Sequence, residues 1–112
     1  MLTDTELVGR CKRGDQEAWN ELVERFSRYV YAICTQGFRF AQHDAEDVYQ
    51  DVFAKVYTEI HRLRDPDALR PWIAQLARRA CLDRLRRSHE TPSEDFKTFI
   101  SAFRSSMDIS LG

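Results

Sequence analysis

The stretch HDAEDVYQDVFAKVYTEIHRLRD, residues 43–65, decides how this chain folds. Four of its first nine residues are acidic. Even so, Ala45, Val48, Val52, Val56, Ile60 and Leu63 recur at steps of three and four, the spacing that keeps side chains on one face of an α-helix. Tyr49 and Phe53 widen that face, and Asp44 is placed to cap the N-terminus. Such a helix must bury its seam against neighbours, while its acids, lying mainly off the seam, are left for a partner.

The flanking sequence supplies the neighbours. Thr3 and Glu6 have capping-box spacing and Gly14 is a stop signal, which predicts a short helix over about Asp4 to Arg13. Asp15 can cap a second helix whose apolar residues Trp19, Leu22, Val23, Phe26, Val30 and Ile33 share one face, with Gly37 ending it. Downstream, RDPDALRP (residues 64–71) reads as a turn, because each proline biases the residue before it away from helical geometry. Pro71 fits the first position of a fourth helix, PWIAQLARRACLDRLRRSH (residues 71–89). Plotted at about 100° per residue, Trp72, Ile73, Leu76, Ala77 and Ala80 fall on one side of it, the expected core. Gln75, Arg78, Arg79, Leu82 and Arg86 fall on the other, a cationic stripe. From Thr91 a Thr-Pro-Ser linker leads into Phe96, Phe99, Ile100, Phe103 and Met107 at helical spacing, a short amphipathic helix that needs something to dock on. The expected fold class is all-α, a compact bundle of about four helices over residues 1–90, followed by a linker and a short amphipathic helix over residues 91–112.

Composition agrees with one helical domain. The chain has 112 residues, 43% apolar and 31% charged, with only four glycines and three prolines to interrupt long helices. No apolar run of about 18 residues is present for a bilayer, and the N-terminus lacks the apolar centre of a signal peptide, so a cytoplasmic protein with no membrane contact is expected. Cys11, Cys34 and Cys81 are odd in number and far apart, and they read as small buried hydrophobes. His43, His61 and His89 are equally scattered. No metal site, no cofactor and no catalytic motif is read from the chain.

Charge is segregated along the sequence. Residues 1–41 balance to zero, residues 42–60 carry net −4, and residues 61–90 carry net +4. An acidic helix suits a basic protein surface and repels DNA, whereas the basic segment after it suits a polyanion.

Two linked motifs, DAEDVYQDVF (residues 44–53) and LRPWIAQLARRACLDRLRR (residues 69–87), resemble region 2 of the extracytoplasmic-function (ECF) group of bacterial RNA polymerase sigma factors. Members of that group read approximately DAEDLxQEVFxxxW and then RAWLxxIARNxxxDxLRR. The resemblance spans about residues 5–88.

It implies a transcription initiation factor domain, with no catalysis and no cofactor. Asp47, Gln50 and Asp51 match the positions that dock on the coiled-coil clamp helices of the largest subunit of core RNA polymerase. Their spacing keeps them on one helical strip, able to meet arginine and lysine on a facing helix. Exposed charge pairs contribute only about 0–1 kcal/mol each, so apolar contacts are expected beside them. The second implied partner is promoter DNA, mainly the single-stranded non-template strand of the minus-ten element. The loop from His61 to Arg70, with Arg62 and Arg64, is the expected base pocket, and Gln75, Arg78, Arg79 and Arg86 the expected strand-binding face. An anti-sigma factor is a further partner the resemblance implies.

Departures from the group's pattern are specific. Arg79 stands where many relatives carry Asn, which replaces a base-reading amide by a cation, and Pro71 replaces the common Ala. Trp72 is expected in the core, Asp83 is expected to pair with a neighbouring arginine, and Tyr49 and Tyr57 are expected to be half-buried. Region 4, the helix-turn-helix that usually follows, is not expected within these residues. From the residues alone, a helical protein-interaction module that binds no nucleic acid remains the alternative reading.

Overall fold

The computed structural model of the protein describes residues 1–88. Its first helix, α1 (Asp4–Lys12), starts at the foreseen capping box: Glu6 N donates to Thr3 Oγ1 at 3.1 Å, and Thr3 N donates back to the Glu6 carboxylate at 3.4 Å. Its end is a Schellman closure, with Gly14 N donating to Cys11 O and Asp15 N to Arg10 O, both at 3.0 Å. That closure puts Gly14 at φ 82°, where a side chain would be strained. Asp15 then turns from the end of one helix to the start of the next, its carboxylate accepting from Glu17 N and Ala18 N to cap α2 (Gln16–Ala32). Arg25 of α2 reaches back to Asp4 at 3.1 Å and to the Leu2 carbonyl at 2.6 Å, tying the start of α1 to α2.

Helical backbone ends at Gly37 as expected, although α2 itself gives way to a wider turn from Ile33. The helix widens into a π-turn, Ile33–Gly37, closed by Phe38 N donating to Ile33 O at 3.1 Å. Thr35 Oγ1 donates to Tyr31 O at 2.9 Å, a back-bond that bends a helix at this point. Two residues after Gly37, Arg39 takes the left-handed conformation, at φ 56°.

The third helix, α3 (Gln42–Glu59), begins two residues before Asp44. Ala41 is its N-cap and makes no side-chain bond, so Asp44 acts from the first turn, where its charge favours the helix dipole. Ala45, Val48, Val52, Val56, Ile60 and Leu63 are all buried, as the seam requires. A 3-10 turn, Ile60–Arg62, and a second, Pro66–Ala68, lead into α4 (Leu69–Ser88). Thus α4 starts two residues before the proline expected at its first position. Proline is tolerated there because the first-turn N–H groups have no partner within the helix.

The core gathers Leu7 and Val8 from α1, Leu22, Phe26 and Val30 from α2, Val48, Val52 and Val56 from α3, and Leu69, Ile73 and Ala77 from α4. Truncating a residue such as Phe26 to alanine in this setting costs about 3–5 kcal/mol. No strand occurs among the described residues, and the fold is the expected all-α bundle. No described helix is long and apolar enough to cross a membrane. Met1–Cys81 form one compact unit, and the final turns of α4, from Leu82, belong to a second. The linker and amphipathic helix expected within residues 91–112 lie outside the described residues.

Candidate functional site

Two surfaces hold the sequence-predicted residues. On α3, Asp47, Gln50 and Asp51 are exposed along one strip, as their spacing dictates. Ala54 and Tyr57 continue that strip one and two turns further on, both exposed. Tyr57 is 64% exposed, not half-buried, because its ring rests edge-on against Trp19 of α2 (centroids 5.0 Å apart, planes at 73°) instead of turning into the core. Tyr49 is half-buried as expected, and its ring lies 4.8 Å from that of Phe53.

The second surface is built by the loop and α4. Leu63 is buried and plugs the loop into the core, while its carbonyl accepts from Lys12 Nζ of α1 at 2.7 Å. Asp65 caps the Pro66–Ala68 turn by accepting from Asp67 N at 3.0 Å. With Leu69 fully buried as well, the loop is pinned at both ends. Between it and α4 lies an open depression of about 420 Å³, lined by Leu63, Ala68, Pro71, Trp72, Gln75 and Arg78. Trp72 is thus partly exposed and forms a wall of the depression, a correction to its expected core position. An indole, a proline ring and aliphatic carbons beside an amide and a guanidinium suit a planar heterocycle attached to a phosphate.

The structure divides the predicted cations into groups. Arg64, Arg78 and Arg79 are exposed and make no ion pair with a described residue. Arg62 pairs with Glu59 at 3.4 Å. Arg86, in the second unit, pairs with Asp83 at 3.7 Å, the kind of local partner expected for that aspartate. Arg70 is not a loop residue: it lies in the first turn of α4, its guanidinium 4.8 Å from the ring centre of Tyr29 and 5.4 Å from that of Phe26. His61 does not join Gln75 and Arg78 either, since it lines a separate depression of about 260 Å³ with Cys11, Lys12, Gly14, Trp19, Tyr57 and Ile60. No group of three or more His, Cys, Asp or Glu that could hold a metal ion occurs among the described residues.

Residues 22–91 match the family model for sigma-70 region 2. The chain belongs to the sigma-70 region 2 family. It is 35% identical over 77 residues to the ECF RNA polymerase sigma-E factor of Haemophilus influenzae, a match covering 69% of this chain and 40% of that protein. It is 34% identical over 77 residues to the protein of the same name from Escherichia coli, covering 69% and 39% respectively. The region 2 chain therefore spans about two-fifths of the length of the curated relatives it matches. No solved structure matches it.

Proposed function

We propose that this region 2 chain is the polymerase- and promoter-binding part of an alternative sigma factor acting in transcription initiation. In this reading the exposed strip of α3, with Asp47, Gln50 and Asp51, meets the basic clamp helices of the largest subunit of core RNA polymerase. Tyr57 and Ala54 add the apolar contact that weak exposed charge pairs require. The depression between the loop and α4 holds an unpaired base of the minus-ten non-template strand, while Arg64, Arg78 and Arg79 neutralise its phosphates. An anti-sigma factor that covers the α3 strip would block the first of these contacts.

The observation that carries the reading is the depression itself: apolar walls from Leu63, Pro71 and Trp72 meet Gln75 and Arg78 in one open site. A stripe of arginines kept only for solubility has no need of such a site. The decisive experiment is capture of core polymerase by the wild-type chain and by Asp47→Ala and Asp51→Ala, alongside fluorescence anisotropy with single-stranded and duplex minus-ten oligonucleotides. Loss of capture in both variants and a preference for the single strand support the reading. Unchanged capture overturns the α3 assignment, and absence of any binding to DNA, alone or with polymerase, favours the protein-interaction module.

A further inference from the structure

Two cysteines that stand 47 positions apart in the sequence meet inside the fold. Cys34 lies in the π-turn after α2 and Cys81 on α4, both fully buried, with their sulfurs 3.7 Å apart and the Cys81 thiol donating to Cys34 Sγ. We infer that Cys34 and Cys81 are an oxidation site, a thiol pair that hydrogen peroxide converts reversibly into an intramolecular disulfide. The inference is independent of the promoter-binding reading.

Geometry supplies the first argument. A disulfide needs the sulfurs at about 2.05 Å, so they must close by about 1.6 Å. The side holding Cys34 can give: the π-turn is one residue wider than a regular turn, Phe40 N closes it onto Cys34 O at 3.0 Å, and Gly37 has open space around it. The other side, α4, is a regular helix that holds Cys81 in place.

Chemistry supplies the second. The thiol hydrogen bond from Cys81 favours the thiolate of Cys34 and lowers its proton affinity, whereas the same bond, with burial, raises that of Cys81. Cys34 is therefore the nucleophile. Its thiolate attacks one peroxide oxygen, the O–O bond breaks, and hydroxide leaves to become water, giving Cys34 sulfenic acid. The Cys81 sulfur then attacks Cys34 Sγ, the S–O bond breaks, and a second water leaves with the Cys81 proton. Two thiols have lost two protons and two electrons, and one peroxide has become two waters. The remaining cysteine, Cys11, is only partly buried and has no thiol beside it, and burial followed by the charge of Asp15 pushes its pKa up to about 11, so it stays a thiol. The new bond would join the end of α2 to the helix that carries Gln75, Arg78 and Arg79.

The test treats the full chain with a small excess of hydrogen peroxide, then denatures it, alkylates the remaining thiols and measures intact mass and a peptide map. The expected product has lost two hydrogens, keeps one alkylatable cysteine, Cys11, and yields a Cys34–Cys81 peptide pair that dithiothreitol separates. Because the bond closes a long loop, the oxidised chain should melt higher by about 10 °C or more. Cys34→Ala and Cys81→Ala should abolish the product, and Cys11→Ala should keep it. The peptide map of the wild-type chain answers the question even where an alanine variant folds poorly. A pair containing Cys11, oxygen adducts without a cross-link, or three intact thiols under conditions that fully oxidise an exposed dithiol peptide would each overturn the inference.

Discussion

Arg70 and Arg78 look alike in sequence but should behave oppositely in a salt titration. Each phosphate neutralised on a single strand contributes about −0.7 to the slope of log affinity against log salt. Arg64, Arg78 and Arg79 are exposed and make no ion pair with a described residue, and if they hold the strand as proposed they would set a slope of about −2. Arg62 and Arg86 hold exposed partners at 3.4 and 3.7 Å, pairs weak enough to exchange for phosphate. Recruiting Arg62, which lies in the same unit as Arg64, Arg78 and Arg79, extends the slope to about −2.8, so raising salt from about 50 to about 200 mM weakens binding by between about 15-fold and about 50-fold. Arg78→Ala or Arg79→Ala should each reduce the slope by about 0.7 and leave the melting temperature nearly unchanged. Arg70→Ala should leave the slope intact but remove a cation resting on Tyr29 and Phe26, worth about 0.5–1 kcal/mol, which lowers the melting temperature by a few degrees. Anisotropy at four or five salt concentrations, with a thermal melt of each variant, separates the two roles. If Arg70→Ala flattened the slope as much as Arg78→Ala while melting like wild type, Arg70 would be a strand-binding cation and not a structural one.

Other expectations follow from single contacts. Tyr57→Ala should weaken polymerase capture by about fivefold or more without loss of fold, since an exposed aromatic at an interface often carries over 1 kcal/mol; capture equal to wild type would remove Tyr57 from the contact. Gly14→Ala should cost about 1 kcal/mol in denaturant melts because it forces a side chain to φ 82°, whereas Arg39→Gly should gain about 0.5–1 kcal/mol by relieving the same conformation at φ 56°. Opposite signs are the signature, and equal signs would contradict it. At the start of α1, the bond from Thr3 N to Glu6, and then that from Thr3 Oγ1, holds the Glu6 carboxyl below the usual carboxylate range. The unfolded chain therefore binds that proton more tightly, so this contribution is present above the unfolded value and is lost as pH falls through the native one. Melts at about pH 7 and about pH 3 should show Glu6→Gln with a smaller acid-induced drop than wild type, and identical drops would count against the capping box as its source.

Most of the fold was legible because its signals are local. The α3 seam, the Thr3 and Glu6 box and the Asp15 cap each depend on residues within a turn or two of one another, and all three appear where their spacing put them. The misplacements come from elsewhere in the fold. Gly37 reads as a stop and helical backbone does end there, but the wide turn from Ile33 and the left-handed Arg39 that follows it carry no signal in the spacing. Tyr57 stays outside because Trp19, some forty residues away, gives its ring an edge to rest on. The meeting of Cys34 with Cys81 and the bond from Lys12 to the Leu63 carbonyl have no sequence signal of their own, since each joins elements whose packing no periodicity describes.

The start of α4 shows how one boundary redistributes function. With the helix beginning at Pro71, Arg70 belongs to a loop and counts as a strand-binding cation. Beginning at Leu69, the helix places Arg70 three and four residues before Ile73 and Ala74, on the side that continues through Ala77 to Cys81, all four of them buried. Arg70 itself stays exposed at the start of the helix, and its guanidinium rests on the aromatic faces of Tyr29 and Phe26 that α2 offers it. Gln75 and Arg79 lie about half a turn away and Arg78 about a quarter turn, and all three stay exposed. Ile73, Ala74, Ala77 and Cys81 thus do more than fill the core: by facing inward they orient the amide and arginines outward, so the strand-binding role proposed for α4 depends on where this helix begins.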